Sequence, residues 1–147
     1  MKTKSKNPKY VAWLNTETMH NTSKKWLSEL EFTKDEQLFF DDLIKSYTLQ
    51  LIDSKHFTES KNVVNQLVKL KKETDGLIET IKLHERELKI MVDGIDQIEL
   101  EKAYRDKHGK LIITVSNFLE DYRTLKMRLF ALVKGVLKDN KQKRLLQ

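Results

Sequence analysis

Residues 63–95 read VVNQLVKLKKETDGLIETIKLHERELKIMVDGI, and their apolar side chains recur at alternating spacings of four and three residues. This spacing keeps side chains on one face of an α-helix and is typical of the buried seam between packed helices. The repeat runs through ten positions, of which two are polar. These positions are Val63, Leu67, Leu70, Thr74, Leu77, Ile81, His84, Leu88, Met91 and Ile95.

The same alternation appears on both sides of this stretch. The downstream repeat contains Tyr104, His108, Leu111, Val115, Phe118, Tyr122, Leu125, Leu129, Leu132 and Val136. The upstream repeat has two polar positions near its middle and contains Trp26, Leu30, Thr33, Gln37, Phe40, Ile44, Tyr47 and Leu51. We therefore expect an all-α fold with three long helices, over residues 18–53, 57–93 and 97–139, joined along coiled-coil-like heptad seams.

The connections between the repeats are short. Residues 53–56 separate the first two repeats, and Gly94 has the position of a helix C-cap. Short connections make neighbouring helices antiparallel, so the sequence predicts an up-down-up bundle. Antiparallel alignment of the repeats brings two polar pairs into matching layers. These pairs are His84 with His108 and Gln37 with Thr74.

Two positions leave a helix break open as an alternative. Gly109 lies inside the third predicted helix, where a glycine costs about 1 kcal/mol relative to alanine. The segment Thr33-Lys-Asp-Glu36 has the capping-box pattern that starts many helices. The heptad phase continues through both positions, which favours unbroken helices.

Composition favours one domain over residues 1–147. The 147 residues are 39% hydrophobic and 34% charged, with only four glycines and one proline, as long amphipathic helices require. The absence of cysteine excludes disulfides, thiol nucleophiles and cysteine-bound zinc. The formal charge of +6 comes from the ends of the chain, and we expect residues 1–12 and 140–147 to be flexible.

No apolar run reaches the 18 residues of a membrane-spanning helix, and no signal-peptide core follows the first lysines. The expected location is the cytoplasm. The lysine-rich ends, with Tyr10 and Trp13 nearby, leave weak binding of single-stranded nucleic acid as an alternative function. The excess of acidic residues in the body of the chain argues against it.

The sequence offers one candidate ligand site. Two neutral imidazoles, those of His84 and His108, would face each other in the core and could bind a metal ion or a small ligand. The structural interpretation is a polar layer that fixes the register of the helices, as Gln37 and Thr74 would also do. No cofactor is expected beyond this alternative.

The C-terminal part of the third helix offers a candidate partner surface at Phe130, Val133 and Leu137, since its apolar residues occupy more than one face. No phosphate-binding loop, no catalytic triad pattern and no paired acids on one seam appear. A single Glu17-x-x-His20 lacks the second copy that di-iron bundles need. The leading hypothesis is a non-enzymatic helical interaction or scaffolding protein that binds another protein or a second copy of itself.

Overall fold

The computed structural model describes residues 15–53, 55–93 and 98–146. These residues form four helices: α1 (Thr16–Ser46), α2 (Thr48–Leu51), α3 (Phe57–Asp93) and α4 (Ile98–Leu146). No strand occurs within the described ranges, and the all-α prediction is confirmed.

The first predicted helix, 18–53, is wrong as a single element, because the structure divides it at Tyr47. The backbone of Tyr47 leaves the helical region, with φ −114° and ψ 21°. Its N–H is shared between the carbonyls of Leu43 and Ile44, while the hydroxyl of Thr48 donates to the carbonyls of Ile44 and Lys45. A threonine hydroxyl that competes for these carbonyls weakens the regular ladder and favours a break.

The other helix bounds lie close to those expected from the repeats. Helix α1 begins at Thr16 because the side chain of Asn15 accepts a hydrogen bond from the backbone N–H of Thr18, as an N-cap does. Helix α3 has the predicted bounds, and α4 continues through Gly109 and on to Leu146 instead of ending at residue 139. Residues 1–12, Gly94 and Ile95 lie outside the described residues.

The heptad positions supply most of the core. All ten positions of the downstream repeat are buried. The described positions of the middle repeat are also buried, except that Leu77 is partly exposed. In the upstream repeat, Ile44 and Tyr47 are partly exposed and the other positions are buried. Burial of these apolar side chains is the main source of stability for helices of this length.

The contacts divide the chain into two compact units. The first unit comprises Met1–Phe32 and Asp75–Asn117, and the second comprises Thr33–Thr74 and Phe118–Gln147. A core cluster of the first unit contains Met19, Leu88, Met91 and Tyr104. In the second unit, the buried ring of Phe40 lies against Tyr122 and Phe130. The single domain predicted over 1–147 stays a prediction.

None of the described helices has a stretch both long enough and apolar enough to cross a bilayer.

The glycine at position 76 gives a test of helix α3. Gly76 lies inside the helix, and a Cβ added there would meet no atom within 4 Å. We expect Gly76→Ala to raise the free energy of unfolding by about 0.5–1 kcal/mol, because alanine loses less backbone entropy on folding. Urea unfolding followed by circular dichroism measures this change. An unchanged or lower stability would contradict a helical backbone at Gly76.

Candidate functional site

The first unit brings His84 of α3 and His108 of α4 together. Both side chains are almost fully buried, with 1% and 0% of their surface exposed. The Nε2 atom of His84 lies 2.9 Å from Nδ1 of His108, which is hydrogen-bond distance. One ring must donate and the other must accept, so the pair suits two neutral imidazoles.

Two further aromatic rings enclose the pair. The ring of Tyr104 stacks on His84 with centroids 4.0 Å apart and planes within 3°. The ring of Trp26 stacks on His108 at 4.9 Å. Tyr104, His84, His108 and Trp26, here called the ring cluster, come from three helices. The two outer rings cover the imidazoles from bulk solvent.

The environment holds both histidines in the neutral form. Burial lowers the pKa of His84 from 6.5 to about 4, with Glu87 opposing this shift and Lys107 adding to it. Burial also lowers the pKa of His108 to about 4, and the neighbouring His84 contributes. Lys107 and Glu87 form an ion pair of 3.1 Å. Both imidazoles are therefore uncharged at neutral pH.

Several buried polar atoms in the first unit have no hydrogen-bond partner among the described residues. They are Ser23 Oγ, His84 Nδ1, Glu85 Oε2, Tyr104 Oη and His108 Nε2. For either arrangement of protons in the histidine pair, one of its two outer nitrogens is a donor and the other is an acceptor. Leaving such a group unsatisfied costs about 1–3 kcal/mol, so these atoms favour a bound water or a small polar ligand.

The geometry of the pair limits how a metal ion could bind. The two facing nitrogens are used by their mutual hydrogen bond, and the two nitrogens of an imidazole ring point in divergent directions. One ion held by both histidines would require this bond to break and the rings to turn. Across the described ranges, no three histidine, aspartate or glutamate side chains are grouped as metal ligands. The metal role of His84 and His108 stays a prediction.

Some residues near the site were not assigned from the sequence. Glu85 is mostly buried, and its Oε1 lies 2.7 Å from Nδ1 of His20, which links α3 to α1. Ser23 is fully buried. The heptad spacing of Ser23 between Met19 and Trp26 was a usable signal, since it extends the upstream repeat. The inward contact of Glu85 had no such signal, because its neighbour His84 occupies the seam.

The second polar pair lies in the second unit. Gln37 Nε2 donates to Thr74 Oγ1 at 3.0 Å, and Thr74 Oγ1 donates to the carbonyl of Leu70 at 2.8 Å. Both side chains are buried. The hydroxyl is thus satisfied as a donor and as an acceptor, as a structural polar contact requires.

The candidate partner surface is only partly exposed. Phe130 and Leu137 expose 50% and 47% of their surface, whereas Val133 is buried. Phe130 contacts the buried ring of Phe40 edge-on, at 5.7 Å between centroids, and the exposed Phe39 lies 6.0 Å from the same ring. We call Phe39, Phe130 and Leu137 the outer apolar surface.

The histidine pair predicts how stability depends on pH. The unfolded state binds protons near pH 6.5, whereas the folded state binds them only near pH 4. The contribution of the pair to the free energy of unfolding is therefore fully present above about pH 6.5. It is lost as the pH falls towards 4, which lowers the free energy of unfolding by roughly 3 kcal/mol or more. Urea unfolding at a series of pH values measures this loss.

The variant H84L/H108L provides the matched comparison. It removes both imidazoles, so its stability should change much less across the same pH range. Hydrogen bonds from His56 and Lys55 lower the pKa of Asp139 from 3.8. Protonation of this carboxyl therefore affects stability only below the pH range in which the histidine pair does. Equal pH dependence in the two proteins would contradict a neutral buried pair.

The chain was compared with known proteins. No protein-family model matches the sequence, and the searches of curated proteins and of solved structures gave no significant similarity.

Proposed function

We propose that the chain is a non-enzymatic helical interaction protein that binds a protein partner through the outer apolar surface of its second unit. The observation that carries the proposal is the exposure of Phe39 and Phe130, whose rings both lie within 6.0 Å of the buried ring of Phe40. Aromatic side chains, phenylalanine among them, are enriched at protein interfaces relative to the rest of the surface.

The energetics support this use of the surface. Phe130 and Leu137 are already about half buried, so burial of their remaining exposed surface would stabilise a complex by about 1 kcal/mol for each side chain. Phe130 and Leu137 lie seven residues apart on α4 and therefore on the same helix face. An amphipathic helix presents its own apolar side chains at this spacing, so a helical partner suits the surface.

A polar network holds one edge of the surface in place. Glu36 of α1 accepts hydrogen bonds from the hydroxyl of Tyr122 at 2.8 Å and from the ammonium of Lys126 at 3.2 Å. Burial raises the pKa of Tyr122, and the hydrogen bond with Glu36 raises it further, so the phenol stays protonated and donates. These contacts join α1 to α4 beside Phe40 and limit the rearrangement needed on binding.

We also propose a cytoplasmic location and a finer architecture for the chain. In this architecture α1, α3 and α4 form one domain and run up, down and up, with coiled-coil-like seams between them. The hydrogen bonds His84–His108 and Gln37–Thr74 support this course, because antiparallel alignment of the sequence repeats pairs the same residues.

Site-specific photocrosslinking tests the interaction. With benzoylphenylalanine in place of Phe130, we expect light-dependent adducts with a discrete protein partner in the cells that produce the chain. The control carries the same photocrosslinker at Lys72, an exposed position on α3. Absence of any protein adduct at Phe130, or equal adducts at both positions, would contradict the proposed surface.

A second candidate function is the binding of a metal ion or a small polar ligand at the ring cluster. The observation that favours it is the pair of unpartnered, buried outer nitrogens on His84 and His108. A ligand there would satisfy one donor and one acceptor that the described residues leave open.

Native mass spectrometry distinguishes a ligand site from a structural layer. If the ring cluster binds a ligand, the protein purified from its own cells should carry one equivalent of bound mass, and H84L/H108L should lose it. If the histidine pair is only structural, the purified protein should carry no bound mass. H84L/H108L should then be as stable as the parent, because two apolar residues replace the whole polar pair. Protein that carries no bound mass under native conditions would exclude the ligand function.

A further inference from the structure

Two helices of the second unit carry opposite charges at the same spacing on their exposed faces. On α1, Asp35 and Asp42 flank the exposed Phe39. On α4, Lys134 and Lys141 flank the exposed Leu137. Each charged pair is seven residues apart, which is about 10.5 Å along a helix. The acidic and basic stripes therefore match in length.

The order of the residues specifies a direction. Along α1, Phe39 follows Asp35 by four residues and precedes Asp42 by three. Read backwards along α4, Leu137 follows Lys141 by four residues and precedes Lys134 by three. Antiparallel pairing thus sets each aspartate against a lysine and Phe39 against Leu137. Parallel pairing would set Phe39 against Lys138 instead.

The same register continues to the end of α1. It brings Phe130 opposite Ser46, a small residue that leaves room for the ring. Leu49, which is 80% exposed, lies beyond the break at Tyr47 and therefore outside this register. The register thus pairs exposed apolar side chains at the level of Phe39 and Leu137.

The four charged side chains are free to pair with another molecule. Asp35, Asp42, Lys134 and Lys141 are exposed. No ion pair within the described part of the chain involves any of them. Nearby charges of the second unit are already paired, as Lys71 is with Asp41 and Lys126 with Glu36.

We propose that this face binds a second copy of the chain, with α1 of each copy antiparallel to α4 of the other. This inference rests on the proposed function, because Phe39, Phe130 and Leu137 form part of the contact. A twofold axis repeats the pairing, so the dimer contains four aspartate–lysine pairs and two Phe39–Leu137 contacts. The apolar contacts supply affinity, and the charges select the partner and the direction.

Charge reversal with mixing tests the dimer. Sedimentation velocity on the purified full chain should show a dimer at micromolar concentration and low salt. The basic-stripe variant K134E/K141E and the acidic-stripe variant D35K/D42K should each weaken self-association by about tenfold or more, because every charge pair becomes repulsive.

Mixing the two variants should restore association. The unmodified acidic stripe of one variant meets the unmodified basic stripe of the other, and the two reversed stripes also match. Native mass spectrometry should therefore show a one-to-one heterodimer and little of either homodimer. The variant K69E/K72E makes the same change of net charge as K134E/K141E, but at exposed positions on α3, and should dimerise like the parent.

Each remaining outcome contradicts the inference in a recognisable way. Wild-type protein that is monomeric at high concentration overturns the dimer. In that case, photocrosslinking from position 130 to a different protein would still support the proposed function. A dimer that tolerates both charge reversals overturns this face as its interface. Circular dichroism spectra that match the parent show that each variant is folded, so failure of the mixture to form the heterodimer also overturns the pairing.

Discussion

The hydrogen bond between His84 and His108 constrains the rest of the first unit, because it connects two imidazoles that have almost no solvent-exposed surface. A displacement of α3 along α4 by one residue would separate the rings and leave all four nitrogens without a partner. The same displacement would move Tyr104 off the ring of His84. The heptad seam therefore provides burial, and the histidine pair selects one register from those that apolar packing alone would allow.

The two polar pairs differ in how completely they are satisfied, and this difference bears on function. Thr74 donates to Leu70 and accepts from Gln37, so the pair in the second unit needs no further partner. The histidine pair uses one nitrogen of each ring and leaves the other buried. A polar layer that only fixed register would have no need of unsatisfied atoms, which cost stability. The unpartnered nitrogens therefore support the proposed ligand site at the ring cluster, whereas the contact of Gln37 with Thr74 is complete without a ligand.

Much of the fold was predictable because heptad spacing in the sequence maps directly onto burial in the structure. The alignment that paired His84 with His108 needed only the helix period and the short connections. The break at Tyr47 was not predictable from that period, since it depends on the competition of one hydroxyl for backbone carbonyls. The contact of Glu85 with His20 was also missed, because a residue beside the seam can turn either inward or outward. Heptad spacing specifies the helix face, and side-chain contacts at the edges of that face require the structure.

The exposed surface and the core of the second unit share one residue, Phe40. Its buried ring packs on Tyr122 inside the unit and on Phe130 at the surface. Tyr122 in turn donates to Glu36, which lies one helical turn before Phe40 on α1. The position of Phe130 is therefore set by the same contacts that hold α1 against α4, and the surface is formed before any partner arrives. A preformed surface loses little conformational entropy on binding, so even a modest apolar area can support a specific complex.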